Sequence, residues 1–154
     1  MLPDDVFRER LEQTLIGLEK WAQETRNCAE IEIIASDRYW RMDVRPSFPG
    51  ACPFELLINS SQTFDLSLDG EVYENRPIEN FDLFLKIANS IAAGRVEQIE
   101  TRNALTGIPI AIAMRVELSD GFDWIGFRTV LKRARYLLEQ DEVRRAFRYL
   151  PYRR

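Results

Sequence analysis

Near the start of the chain, apolar residues recur every three to four positions, which is the spacing of an amphipathic helix. One face of this helix would carry five apolar side chains, namely Phe7, Leu11, Leu15, Leu18 and Ala22. Pro3, Asp4 and Asp5 suit a helix start, because proline fits the first turn and acidic side chains favour the positive end of the helix dipole. The pattern stops near residues 26–27, so we predict a single amphipathic helix up to that point.

The next part of the chain alternates apolar and polar residues, which is the period of strands with one buried face. The alternating runs cover residues 30–35, 39–45, 54–58, 64–68 and 71–73. Residues 45–53 contain three prolines and a glycine, so they predict a loop. Asp69-Gly70, between two alternating runs, is the strongest hairpin signal in the chain. We therefore expect antiparallel strands joined by short turns.

A second helix is predicted over residues 80–94, and it is apolar on nearly every side. Asn80 suits its N-cap, and Gly94 can end it in a left-handed conformation. A helix of this kind is buried on more than one side. Either the rest of the monomer covers it, or a second copy covers one flank. The residues that such an interface would use are Phe81, Leu85, Ala88 and Ala92.

Beyond this central helix, the pattern predicts strands over residues 96–101 and 108–118, and a short strand near residues 122–124. A third amphipathic helix is predicted from residue 127 to 138, and Asp141 could cap a further short helix that Pro151 ends. The fold class is therefore α+β, with helices on an antiparallel sheet of about six to seven strands. The expected order is α-β(4-5)-α-β(2-3)-α, in one domain over residues 1–154 with a basic helical end at about 127–154.

The composition is typical of a globular chain, with 45% hydrophobic and 30% charged residues among 154. The N-terminus lacks the features of a secretory signal, and no apolar run is long enough to span a bilayer. We therefore expect a soluble cytoplasmic protein with no membrane association. Cys28 and Cys52 are too few for a disulfide framework or a four-ligand zinc site. A single disulfide between the two cysteines is the alternative to two free thiols.

Charge is distributed unevenly along the chain. Residues 128–154 hold nine basic and three acidic side chains, whereas residues 1–127 hold 12 basic and 22 acidic ones. A basic end of this kind can bind nucleic acid, with arginines on phosphates and aromatic rings stacked on bases, or it can dock on the acidic body. We favour docking, because the overall acidity opposes a polyanion. The residues that would contact a polyanion are Arg144, Arg145, Arg148, Tyr149, Tyr152, Arg153 and Arg154.

Signals for catalysis are weak. The sequence contains no histidine, which removes the commonest general base and metal ligand, and it has no glycine-rich phosphate-binding motif. Acids on or beside the Asp-Gly hairpin could form an acid–base pair, and Cys52 could act as a nucleophile, but solubility and packing explain these residues better. The hairpin acids are Asp65, Asp69, Glu71 and Glu74. We expect no enzymatic activity, no cofactor and no metal.

The order of elements around an apolar middle helix resembles that of the type III secretion chaperones. In that family, a dimer commonly paired through its middle helix holds an extended segment of a partner protein. The resemblance is one of element order, and no sequence motif carries over residue by residue. It implies a chaperone-like or adaptor-like protein-binding module that forms a homodimer. The alternatives are a nucleic-acid-associated protein that uses the C-terminal arginines and tyrosines, and an immunity-type inhibitor of a basic protein.

Overall fold

A computed structural model describes residues 1–130 and 142–153, which form two helices and nine strands. The helices are α1 (Asp4–Thr25) and α2 (Asp82–Ala92). The strands before α2 are β1 (Ala29–Ala35), β2 (Tyr39–Pro46), β3 (Phe54–Asn59), β4 (Thr63–Leu68) and β5 (Glu71–Pro77). The strands after α2 are β6 (Val96–Asn103), β7 (Pro109–Glu117), β8 (Asp123–Thr129) and β9 (Glu142–Arg148).

The α+β class and the antiparallel pairing are confirmed, but the strands form two sheets rather than one. Strands β1 to β5 form a five-stranded meander, and the second sheet has the order β8-β7-β6-β9. Apolar periodicity identifies a strand without identifying the strand that it pairs with. Strand β6, which follows α2, pairs with β7 and β9 and so starts a new sheet.

Turn chemistry fixes the meander as the sequence predicts. Asp69 and Gly70 both have positive φ angles, 49° and 86°, which is the conformation that a two-residue hairpin turn of the favoured kind requires.

Helix α1 also begins at the predicted place, and α2 is slightly shorter than predicted. Asn80 accepts a hydrogen bond from the N–H of Asp82, and Gly94 is left-handed at the other end.

Both helices pack on one face of the five-stranded sheet. Trp21 of α1 lies on Phe54 of β3 with ring centroids 5.8 Å apart, and Phe84 of α2 meets Phe64 of β4 at 5.1 Å. The opposite face of this sheet carries charged side chains, such as Arg41 paired with Glu55 at 2.8 Å. The meander therefore has one core face and one face in solvent, as its alternation predicts.

The four-stranded sheet closes the core on the remaining side. Met114 and Val116 of β7 are fully buried in the same hydrophobic core as both helices. Tyr73 of β5 packs edge-on against Trp124 of β8, with ring centroids 5.4 Å apart. Gly126 of β8 lies directly beneath the Tyr73 ring, where a Cβ would lie 2.5 Å from its Cε atoms. The contacts of the buried Tyr73 ring with Trp124 and Gly126 therefore join the two sheets.

The C-terminal part differs from the prediction. Residues 127–129 are the end of β8, and strand β9 stands where the sequence predicts a short helix; the rest of the predicted third helix, residues 131–138, lies outside the described residues. Strand β9 gives a poor strand signal because six of its seven residues are exposed, so the chain shows no alternation between a buried and a wet face. Its pairing with β6 determines its conformation.

The segment after β9 is held firmly against the body. Leu150 N–H donates to the carbonyl of Gly50 at 2.9 Å, and Tyr152 N–H donates to the carbonyl of Ala92 at 2.9 Å. Gly94 allows this approach, because a Cβ there would lie 2.7 Å from the backbone nitrogen of Pro151. The C-terminal segment thus docks on the body, although as extended chain and not as a helix.

Among the described residues, no helix is long and apolar enough to span a membrane.

Candidate protein-binding site

A depression of about 780 Å³ lies along the seam between α1 and α2. Its apolar lining comes from Leu2, Ile78, Phe81 and Leu85, and its rim carries polar side chains of both helices. A volume of this size is within the range of sites that bind ligands or anchor side chains. The seam is therefore the first candidate for a binding site.

The lining residues are positioned by the packing of α1 on α2. The Phe81 ring lies against Phe7 of α1 with centroids 5.6 Å apart. Leu85 lies opposite Gly17 of α1, where a Cβ would be 3.9 Å from the Leu85 Cδ2 atom, yet Leu85 is still 37% exposed. Its inner side thus packs on α1 while its outer side faces the depression.

The amide of Gln62 fixes the N-terminal edge of this depression. The Leu2 N–H donates to Gln62 Oε1 at 2.9 Å, and Gln62 Nε2 donates to the Leu2 carbonyl at 2.7 Å. Two hydrogen bonds between one side-chain amide and one backbone residue hold that residue in a defined orientation. Leu2 is therefore a fixed part of the wall.

A second depression of about 400 Å³ lies on the other side of the α2 N-terminus. Its apolar lining includes Leu83, Leu118, Phe122 and Trp124, and Phe122 is 74% exposed. The residues that it shares with the first depression are Glu79, Asn80 and Lys86. The two depressions therefore adjoin, and we call the pair the α2 groove.

A polar bridge separates the two halves of the α2 groove. Lys86 Nζ lies 3.1 Å from Asp120 Oδ2, and Asp120 Oδ1 accepts the N–H of Phe122 at 3.0 Å. These donors, the Phe122 amide first, lower the pKa of the Asp120 carboxyl. The bridge ties the turn between β7 and β8 to α2, and it presents Phe122 at the end of the groove.

The predicted interface residues of α2 separate into two groups. Phe81 and Leu85 line the α2 groove, whereas Ala88 is fully buried in the monomer core and Ala92 is half-buried. The helix is apolar on most sides because the sheets cover one side and α1 packs on a flank. Ala88 therefore has no surface to offer to a second copy. On the exposed flank of α2, Leu85 is the main predicted interface residue that a second copy could contact.

The two tyrosines predicted to contact a polyanion are buried. Tyr149 is 5% exposed and donates its hydroxyl to Asp69 Oδ2 at 2.7 Å, while Tyr152 is 1% exposed and donates to the carbonyl of Cys52. Burial raises the pKa of both phenols. Neither ring presents a face on which a base could stack, so the expected polyanion contact does not hold for these side chains.

The predicted arginines have different surroundings. The three on β9, which are Arg144, Arg145 and Arg148, are exposed. Arg148 pairs with Glu117 of β7 at 3.4 Å, and Arg153 donates to the carbonyl of Glu24 and to Asn27 Oδ1. Arg154 lies outside the described residues. The basic side chains thus line a strand edge and anchor the C-terminal segment, without forming one patch with the tyrosines.

Three of the four hairpin acids each accept hydrogen bonds from a different residue. Asp65 Oδ1 accepts the N–H of Asn75 at 2.8 Å. Glu71 accepts two hydrogen bonds from Arg128, both at 2.8 Å, and these lower the pKa of Glu71. Asp69 accepts from Tyr149, as described above, and Glu74 is exposed. These contacts assign the acids to structural roles in turns and between the two sheets.

The cysteines are both free and buried. Burial raises the pKa of the Cys52 thiol, so the protonated form predominates at neutral pH and is a poor nucleophile. Within residues 1–130 and 142–153, no cluster of three or more histidine, cysteine or acidic side chains is arranged to hold a metal ion.

Sequence reasoning missed the second half of the α2 groove. Phe122 and Trp124 indicate only a short strand in the sequence, and their proximity to the start of α2 depends on the tertiary fold. The one available signal was a large aromatic residue directly after the turn at residues 119–121, where solvent exposure is expected.

Comparisons with protein families, curated proteins and solved structures give no match to this chain.

Proposed function

We propose that this chain is a non-enzymatic protein-binding module, chaperone-like or adaptor-like, that holds an extended segment of another protein in the α2 groove. The observation that supports the proposal is the pair of adjoining depressions, each with apolar side chains among polar ones, on either side of the Lys86–Asp120 bridge. A cytoplasmic location, in which such partners would be met, is part of the same proposal.

The shape of the groove suits a peptide chain better than a compact ligand. The apolar side chains of each depression can contact one side chain of an extended segment, and buried apolar anchors supply most of the affinity in such interfaces. The intervening polar groups of Asn80, Lys86 and Asp120 can satisfy backbone N–H and C=O groups of the segment between its anchors. Anchor, polar contact and anchor thus follow one another along the groove.

The groove is a poor match for nucleic acid. Its lining includes four acidic side chains and three basic ones, so it carries no excess of positive charge for a phosphate backbone. The acids are Glu79, Asp82, Asp120 and Asp123, and the bases are Arg10, Arg76 and Lys86. The tyrosines of the nucleic-acid alternative are buried, so its stacking groups are missing from the surface. An inhibitor of a basic protein is a narrower form of the same binding role, and it stays a prediction until a partner is known.

The test uses a library of short random peptides selected on the immobilised full chain. We expect enrichment of peptides with two spaced apolar residues, and binding should shift the backbone NMR signals of Leu85 and Phe122. Leu85→Glu or Phe122→Glu should each weaken binding of a selected peptide by about tenfold or more, since one lost anchor contributes at least about 1.4 kcal/mol.

Ile16→Glu is the matched control, because Ile16 is an exposed apolar residue of α1, 64% exposed, that does not line the groove. It should leave peptide affinity unchanged. If no peptide is enriched, or if the two groove variants bind like the control, the α2 groove is not a peptide site.

A further inference from the structure

The four-stranded sheet has one face in the core and one face turned away from it. Met114 and Val116 are fully buried, so the alternation along β7 turns Ala113 and Arg115 outward. Residues directly opposite each other in antiparallel strands have side chains on the same face. The register therefore identifies two adjoining rows of the outer face, which contain Ile125 and Phe127 of β8, Ala113 and Arg115 of β7, Glu97 and Ile99 of β6, and Ala146 and Arg148 of β9.

An apolar row crosses the outer face from edge to edge. Phe127 is opposite Ala113, Ala113 is opposite Ile99, and Ile99 is opposite Ala146. Phe127 is 61% exposed, and Ala146 is exposed at the other end. The row thus begins with a large side chain, ends with a small one, and has a small and a medium side chain between them.

A charged row runs beside the apolar one. It comprises Ile125, Arg115, Glu97 and Arg148 in the same strand order. Arg115 Nη2 lies 3.0 Å from Glu97 Oε2 within the monomer, and both side chains keep some exposure, 34% and 18%. The cation and the anion occupy the two middle strands.

We propose that the outer face binds the outer face of a second copy of this chain, with a two-fold axis that runs parallel to the strands between β6 and β7. This proposal goes beyond the α2 groove and uses a different surface. The axis places β8 over β9 of the partner subunit, and β7 over its β6. The rows stay aligned, because packed sheets keep their strand directions within about 30° of each other.

This symmetry makes the apolar row and the middle pair of the charged row self-complementary, while at the ends of the charged row Ile125 lies over Arg148 of the partner subunit. Phe127 lies over Ala146 of the partner subunit, and Ala113 lies over Ile99 of the partner subunit, so a larger side chain meets a smaller one at each pair. Arg115 lies over Glu97 of the partner subunit, so opposite charges meet twice across the axis. Size and charge thus both favour a second copy as the occupant.

The outer face is small for a protein–protein interface. Seven residues at a rise of about 3.3 Å and four strands spaced about 4.8 Å apart give a patch of about 23 Å by 19 Å. This is about 400 Å² for each copy, compared with roughly 800 Å² per partner in an interface of standard size. We therefore expect a concentration-dependent dimer with micromolar or weaker affinity.

The first measurement is sedimentation equilibrium of the full chain over a wide concentration range. We expect reversible association to a dimer, and Phe127→Glu should weaken it by about tenfold or more, since it removes the largest apolar contact at two symmetric places. Phe122→Glu is the matched control: Phe122 is also a large exposed aromatic, but it lies in the α2 groove. It should weaken peptide binding by about tenfold or more and leave the dimer intact, so the two proposals fail separately.

The second measurement exchanges the large and small partners. Phe127→Ala alone leaves a gap over Ala146 of the partner subunit, and Ala146→Phe alone brings two phenylalanines together, so each variant should associate more weakly than wild type. When the two variants are mixed, a heterodimer has one phenylalanine over one alanine at both places. Random pairing of an equimolar mixture would already make about half of all dimers heterodimers, so native mass spectrometry should show a heterodimer share clearly above one half.

A strictly monomeric chain at all concentrations would overturn the inference. A dimer that Phe127→Glu leaves intact would also overturn it, and so would a heterodimer share no higher than the one half given by random pairing, because the dimer would then use another surface.

Discussion

Gly126→Ala tests the contact that joins the two sheets. A Cβ at this position would lie 2.5 Å from Cε1 and from Cε2 of Tyr73. Non-bonded carbon atoms rest at about 3.5–4.0 Å, so the ring must move by about 1 Å or more. Tyr73 is 4% exposed and packs on Trp124, so it has little room for such a shift.

The cost of this substitution can be bracketed. Overpacking of a core typically costs about 1–3 kcal/mol. Complete expulsion of a tyrosine that buries about 150–250 Å² sets an upper limit of about 4–6 kcal/mol at 25 cal/mol per Å². We expect a loss of about 3 kcal/mol in the free energy of unfolding, measured by urea denaturation followed by circular dichroism.

Two comparisons make the result specific. In a Tyr73→Ala background there is no ring to displace, so Gly126→Ala should cost almost nothing there, and the two substitutions should couple by about 3 kcal/mol. Gly17→Ala, whose Cβ would make only an ordinary contact at 3.9 Å with Leu85 Cδ2, should instead stabilise by up to about 1 kcal/mol. An equal cost of Gly126→Ala in both backgrounds, or a cost below about 0.5 kcal/mol in wild type, would refute the close contact.

Three further predictions concern polar groups between the layers. Tyr149→Phe should destabilise by about 1–3 kcal/mol in the same urea assay, because it leaves the Asp69 carboxylate without a 2.7 Å donor; an unchanged midpoint would contradict this. The Arg128 guanidinium lowers the pKa of Glu71, so this pair contributes stability above the ordinary glutamate pKa and loses it as the pH falls through the lowered value. Glu71→Gln should therefore flatten the acid limb of a stability–pH profile, and an identical limb would count against the pair. Burial raises the pKa of Tyr73 to about 12 from 10.0, so its contribution is complete below pH 10 and is lost between the two values. Tyr73→Phe should therefore reduce the loss of stability above pH 10. The measurement is the unfolding midpoint as a function of pH, with tyrosinate absorbance followed in parallel.

The sequence predicts the part of the fold that local signals control. The α1 stripe and the turn at Asp69 and Gly70 depend on neighbouring residues, and they appear as expected. Helix α2 begins at Asp82 with Phe81 at its N-cap, so Asn80, the predicted cap, lies one residue before the cap position and accepts the Asp82 N–H in the turn that leads into the helix. Strand β9 and the split into two sheets depend on distant pairing, such as Ile99 with Ala146, which no local pattern encodes. Long-range partners therefore limited the prediction of the fold.

The same distinction applies to the candidate sites. Leu85 and Phe81 stand out in the sequence because a helix that is apolar all round needs cover on several sides. Phe122 joins them only because the Lys86–Asp120 bridge brings a turn 34 residues away to the same groove. The tyrosines of the C-terminal segment misled the sequence reasoning, because their rings fill the core and only the neighbouring arginines reach solvent.

The anchoring of the C-terminal segment has a consequence for the order of folding during synthesis. The five-stranded meander pairs sequence neighbours only, so it can form as the chain leaves the ribosome. The four-stranded sheet needs β9, and Tyr152 must reach Cys52, a hundred residues earlier. Until β9 and Tyr152 emerge, the nascent chain exposes the edge of β6 and an unfilled core, and it is most open to chaperones and proteases during that interval.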